Sequence, residues 1–164
     1  MTSSHSAKHC SATTLMSAVV AGICLTLAAL VVQGLVTVLG FETVSALLTR
    51  RAIGTSLWRN GLATVMLIMI LWVGHLAQMT VWAAVFLAVG EFETFAPAFY
   101  HSAVNYTTLG YGDIVMSPRW RLLGPQEAAC GSLAFGWSTA AIVTIVVRLV
   151  RFRHRSEERD RATG

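Results

Sequence analysis

The chain has 164 residues, 55% of them hydrophobic and 12% charged, with a mean hydropathy of +0.63. That is too apolar for a water-soluble domain of this length, so the composition excludes the ordinary soluble enzyme and points to a membrane protein. The formal net charge of +4 raises nucleic acid as a partner, but most of the arginines flank apolar runs, where basic residues set orientation and meet anionic lipid, and no nucleic-acid partner is expected.

Residues 1–11 read as a polar tail with Lys8 as their only charged side chain. From His9 to Phe41 no side chain is charged, a run longer than the core of a signal peptide, which predicts an uncleaved first transmembrane helix over 12–40. Arginines do not recur along it at every third position, so it lacks the pattern of a voltage sensor. Residues 41–61 mix Arg50, Arg51 and Arg59 with Leu47, Leu48, Ile53, Leu57 and Trp58, a pattern that suits an amphipathic connector in the membrane interface.

A second span is expected over 62–90. His75 interrupts it, and a histidine inside a membrane helix must face protein or water. Two readings stand for His75: a hydrogen bond to a neighbouring helix, with Gln78 close by, or titration near neutral pH as a sensor. The next uncharged run, between Glu93 and Asp113, is long enough to cross a bilayer, yet Pro97, His101, Asn105, Gly110 and Gly112 would leave backbone and polar groups unpaired in lipid. It is therefore expected to enter and turn back, with a short helix over 95–106 capped near Thr94, Pro97 in its first turn, and a non-helical strand over 107–113.

That strand reads Thr107-Thr108-Leu109-Gly110-Tyr111-Gly112-Asp113. It resembles the potassium-channel signature, in which a Thr-Val-Gly-Tyr-Gly strand lends carbonyl oxygens to a dehydrated cation. Only Leu109 departs from the commonest form. The resemblance extends over roughly Trp72 to Leu149 and places the chain among small bacterial potassium or two-pore-domain-like channels. It implies an all-α membrane protein with three transmembrane helices, a re-entrant pore helix and a selectivity-filter loop, assembled as a homotetramer, because one strand cannot enclose an ion. It implies K+ as the permeant ion and no cofactor or enzymatic step. The coordinating groups would be the carbonyls of Thr108, Leu109, Gly110 and Tyr111 with the Thr108 hydroxyl. Gly110 and Gly112 would supply positive φ, the Leu109 and Tyr111 side chains would wedge against the pore helix, and Asp113 would cap the outer mouth. Where some members of the family carry a glutamate behind the filter this chain has Val104, and where many carry paired tryptophans it has Tyr100 and His101. Support for Asp113 and Tyr111 is then expected from Tyr100 or His101.

After a loop holding Pro118, Arg119, Trp120 and Arg121, a last span is expected over 124–149, followed by a basic tail over 150–164 that is too short for a nucleotide- or calcium-sensing domain. Glu127 lies one turn into the span, with three readings: a pair with Arg119 or Arg121, attraction of cations, or a response to pH. Gly131 and Gly136 match the spacing of inner-helix glycines in the family, once one residue of the preceding loop is gapped. Gly131 serves either as a bending point or as a close-packing contact. Ser132, Phe135, Thr139 and Val143 fall on one helical face and would line the cavity.

Cys24 and Cys130 lie within apolar runs and Cys10 in the tail, without zinc-ligand spacing, so neither a disulfide framework nor a metal site is expected. The basic start of the tail at Arg148 marks the cytoplasmic side, and the connector with Arg50, Arg51 and Arg59 should share it, which predicts a plasma-membrane protein with its N-terminus outside and its C-terminus cytoplasmic. Anionic lipid is expected near Arg50, Arg51, Arg148, Arg151 and Arg153. Two other functions fit the sequence: a weakly selective cation channel, and a non-conducting membrane subunit that keeps a channel-like fold.

Overall fold

The computed structural model describes the backbone of residues 3–50 and 57–163; described side chains are Met16, residues 18–46 and 58–151, His154 and Glu158. Among these residues the chain is helical, with α1 at Ser3–Arg50, α2 at Leu57–Ala88, α3 at Phe95–Tyr106 and α4 at Leu123–Thr163. Three stretches are long and apolar enough to cross a bilayer: Ala18–Ala46, Trp58–Ala88 and Leu123–Arg151. α3 is the short helix expected between the second and third of them, with the expected bounds of 95–106.

Three boundaries differ from expectation. α1 already begins at Ser3, so residues 3–11 are helix rather than tail, and it runs past residue 40 to Arg50. Gly40 does not end it: the residue is buried against α2, where an added Cβ would meet Leu67 Cδ1 at 3.0 Å. Phe41 to Arg50 contains neither glycine nor proline, and Thr43 returns its hydroxyl to the Leu39 carbonyl at 2.7 Å, so nothing there breaks a helix. The expected connector over 41–61 is thus divided between the end of α1 and the start of α2. Arg51 and Ile53 lie outside the described residues, as do the side chains of Leu47, Leu48, Arg50 and Leu57; Trp58 is exposed. At the other end α4 continues through the basic tail to Thr163, for Arg148 to Thr163 again holds no helix breaker.

The helices contribute to two compact units, Met1–Val32 with His75–Ala134 and Gln33–Gly74 with Phe135–Gly164. The first is built around Trp82, Phe86, Ala98, Tyr106, Leu123 and Cys130, so α3 is enclosed by apolar side chains of α2 and α4. The second centres on Val44, Leu67, Leu71, Ala141 and Ile145. Within it Gly74 admits Val36, whose Cγ1 would lie 3.0 Å from an added Cβ, and Gln33 Nε2 donates to Ser138 Oγ at 2.9 Å. Small residues at helix contacts and a hydrogen bond between helices are what hold membrane helices together where lipid is as apolar as leucine. On α1, Val20, Ile23, Leu27, Val31, Leu35 and Val38 are exposed, the kind of face a membrane helix turns to lipid.

A candidate ion-conducting loop

α2 closes with a turn in which Gly90 takes φ +79°, the Gly90 amide bonds the Leu87 carbonyl and the Glu91 amide bonds the Phe86 carbonyl. This is the Schellman arrangement, whose left-handed residue is ordinarily glycine because a Cβ there is strained. α3 starts after Thr94, which has extended backbone angles and makes no side-chain cap bond; Pro97 sits in the first turn, where its missing N–H costs nothing.

α3 ends with the same arrangement and a different residue. The Thr108 amide bonds the Asn105 carbonyl at 2.8 Å, the Leu109 amide bonds the Val104 carbonyl at 3.0 Å, and Thr108 holds the left-handed position at φ +61°. It is the only non-glycine residue with positive φ among the described residues. Threonine is β-branched, so this conformation costs on the order of 1–3 kcal/mol that glycine would avoid. The Gly110 amide adds a second bond to the Val104 carbonyl at 3.2 Å, and the Thr107 hydroxyl returns to the Ala103 carbonyl at 2.7 Å. Val104 therefore holds the strand through its main chain, a role its apolar side chain does not reveal. Beyond Thr108 the hand of the backbone alternates: Gly110 and Gly112 have φ of +59° and +71°, while Leu109 and Tyr111 between them do not.

Every residue from Thr107 to Asp113 is exposed in the single chain. Leu109 and Tyr111, expected to wedge against the pore helix, are 53% and 68% exposed, so within one chain they are not covered. α3 spends its buried face, Ala98, His101, Ser102, Val104 and Tyr106, on its own chain, while Phe95 and Tyr100 stay exposed. Asp113 at the strand's end receives a hydrogen bond from the Tyr100 hydroxyl at 2.7 Å. That bond, more than any other contact, holds the Asp113 carboxyl below the usual aspartate range, and it raises the Tyr100 phenol in return. His101 serves a different neighbour. Its ring is buried edge-on to Phe86 with centroids 5.4 Å apart, its Nε2 lies 2.9 Å from Asn105 Nδ2, and it bonds the Ile114 main chain. Burial lowers its pKa, outweighing the opposing pull of the Ile114 main chain, Asp113 and Glu91.

Two groupings had no counterpart in the sequence reading. Glu91 grips the loop beyond the strand, accepting the Ser117 amide at 2.7 Å and the Ser117 hydroxyl at 2.5 Å. Behind α3 lies a set of buried polar side chains. The Tyr106 hydroxyl donates to Gln78 Oε1 at 3.0 Å and lies 3.0 Å from His75 Nδ1, so with its one proton spent on Gln78 it accepts from the imidazole. Of the two readings of His75, the structure contains the hydrogen bond to a neighbouring helix. Ser102 Oγ, on the same buried side, lies 2.9 Å from the Met79 carbonyl oxygen and 2.5 Å from Glu127 Oε1. Glu127 is fully buried, which overturns its expected pairing with Arg119 or Arg121. Its position one turn into α4 points it at α3, while the Arg119 guanidinium lies 5.1 Å from the Trp120 ring centroid. The signal for this set was present as Ser102, Asn105 and Tyr106 within one short apolar helix.

Gly131 is where α4 meets the end of α3. A Cβ there would collide with the Tyr106 carbonyl oxygen and lie 2.9 Å from its carbon. The close-packing reading of Gly131 thus has a specific partner, and α4 passes through the position unbroken. Gly131→Ala is expected to push the end of α3 away at a cost of about 1–3 kcal/mol, read as a lower midpoint of thermal unfolding in detergent; an unchanged midpoint would show that the contact yields freely. Gly136, by contrast, meets nothing within 4 Å. Ser132, Phe135, Gly136, Thr139 and Val143 are all exposed, and the hydroxyls of Ser132 and Thr139 return to the carbonyls of Ala128 and Phe135.

Membrane-length helices enclosing a short re-entrant helix, followed by a strand of alternating hand, are the architecture of an ion-channel pore module. Residues 65–148, just over half of the chain, match the family model described as ion channel, and the chain belongs to that family. No curated protein and no solved structure matches it. The molecule is thus an ion-channel family member of the membrane.

Proposed function

We propose that the protein is a potassium-selective channel in which four chains place their 107–113 strands around one axis. The observation that carries this reading is the alternation of hand through Thr108, Gly110 and Gly112 in an exposed Thr-Leu-Gly-Tyr-Gly strand. A backbone that alternates hand turns successive carbonyls to one side, where an extended strand would turn them to alternate sides. Four such strands make rings of oxygen that replace the water shell of a cation. Closed symmetry supplies the remaining three strands from identical chains, and those chains cover Leu109 and Tyr111, which one chain leaves exposed.

Conduction is passive. Carbonyls of Thr108, Leu109, Gly110 and Tyr111 and the Thr108 hydroxyl hold ions in series, and repulsion between neighbouring ions lets each one leave. The exposed face of Ser132, Phe135, Thr139 and Val143 lines the cavity that feeds them. The positive-inside rule places the arginines of α4 in the cytoplasm and the N-terminus outside, in the plasma membrane, with anionic lipid at Arg50, Arg51, Arg148, Arg151 and Arg153. Purified protein in liposomes tests the reading: potassium efflux blocked by barium is expected, and liposomes that hold potassium as tightly as empty ones would refute it.

A further inference from the structure

We propose that Glu127 is carried as a neutral carboxylic acid, and that its proton is the latch fastening α4 to α3 while the strand conducts; the conducting part rests on the channel reading above. Ser102 has one hydroxyl proton and two oxygen neighbours within bonding distance, the Met79 carbonyl at 2.9 Å and Glu127 Oε1 at 2.5 Å. A main-chain carbonyl only accepts. If Ser102 donates to Met79, the second contact exists only when Glu127 is the donor, and that requires a protonated carboxyl. The result is a directed chain in which Glu127 O–H donates to Ser102 and Ser102 O–H donates to Met79, tying α4 to α3 and α3 to α2.

The opposite arrangement fares worse. An ionised Glu127 would hold its charge fully buried, supported only by Ser102 and by the Asn105 amide beside the carboxyl, with Oε2 lacking a partner in good hydrogen-bond geometry. Asn105 Nδ2 has two hydrogens to share between this carboxyl and His101 Nε2, which lies 2.9 Å away. An orphaned carbonyl oxygen of a neutral acid is tolerable in an apolar setting, whereas an under-bonded buried carboxylate is far costlier. The surroundings add no cation among the described residues. From α3 the titratable neighbours are Tyr106 and, through Asn105, His101; α4 itself contributes Cys130; α2 contributes His75, reached through Tyr106. α1 approaches next door with Gly22 against Gln126, and its one titratable side chain near there among the described residues, Cys24, is exposed.

Loss of the proton to hydroxide at alkaline pH removes the donor and leaves a buried charge, so the chain of bonds breaks at Ser102. Two readouts on the reconstituted full-length protein separate this inference from the channel reading. Infrared spectroscopy at neutral pH is expected to show a protonated-carboxyl stretch in the wild type that disappears in Glu127→Gln and shifts in Ser102→Ala, which changes the partner without removing the acid. Potassium efflux of the wild type is expected to fall reversibly at alkaline pH. Glu127→Gln, whose amide still donates to Ser102, is expected to keep its flux there, and Glu127→Ala to lose roughly tenfold at neutral pH, the scale of one buried hydrogen bond. Infrared spectra of wild type and Glu127→Gln that coincide in the protonated-carboxyl region would overturn the proposal, as would an alkaline fall that persists in Glu127→Gln. A carboxyl band present in a protein without potassium efflux would instead retain the neutral acid and remove the channel.

Discussion

Gly110→Ala is expected to abolish potassium efflux while leaving the assembled protein intact. The space around Gly110 is not the reason, since an added Cβ would meet nothing nearer than the Thr108 carbonyl oxygen at 4.0 Å. The reason is its backbone angle. At φ +59° an alanine costs about 1–2 kcal/mol, and in the proposed assembly of four chains that becomes roughly 4–8 kcal/mol for a single pore. The strand is exposed and tied at this point only by the Gly110 amide to the Val104 carbonyl, so relaxing φ is easier than bearing the strain. Relaxation turns a carbonyl away from the ions. Efflux and size-exclusion chromatography on the same preparation check this, with Gly61→Ala as control. Gly61 is an exposed helical glycine with nothing within 4 Å of an added Cβ, where alanine should gain up to about 1 kcal/mol. Wild-type efflux from Gly110→Ala would show that the alternating hand of the strand is not what conducts.

Tyr100→Phe carries the second large effect, on selectivity rather than assembly. It removes the hydroxyl that donates to Asp113 at 2.7 Å and leaves the ring in place. Because Tyr100 depresses the Asp113 carboxyl, the bond stabilises the end of the strand above the ordinary aspartate range and is lost as pH falls through the lowered value, below about pH 4. Wild-type selectivity is therefore expected to be flat around neutrality. In Tyr100→Phe the Asp113 titration moves up toward the ordinary range, the strand's end loosens at every pH, and discrimination between potassium and sodium drops. Selectivity and acid profile that match the wild type would show that Asp113 is held by something other than Tyr100.

Much of this arrangement was legible in the amino-acid order, and the exceptions have physical causes. α3 declared both its ends, through Thr94 and Pro97 at the start and the glycine-containing strand that follows Tyr106. α1 was harder: the charges at Arg50, Arg51 and Arg59 suggested an interface, but charge does not break a helix, and between Phe41 and Arg50 there is no residue that does. Left-handed angles at Gly110 and Gly112 could be anticipated from glycine itself, whereas at Thr108 residue type argues against the angle the turn imposes. Tyr100 and His101 were equal candidates to support Asp113. Neighbours on a helix point about 100° apart, and geometry gives Asp113 to the first and Asn105 with Ile114 to the second. Glu127 was the least legible, because the partner that defines it, Ser102, is 25 residues away on another helix, while the two arginines close in sequence offered an easier pairing.

In the proposed function this strand selects potassium. Reversal potentials across a planar bilayer, with potassium on one side and sodium on the other, test it most directly. A reversal potential displaced strongly toward the potassium equilibrium value is expected, together with block by barium. A reversal potential close to zero under those conditions, from protein that conducts, would contradict it.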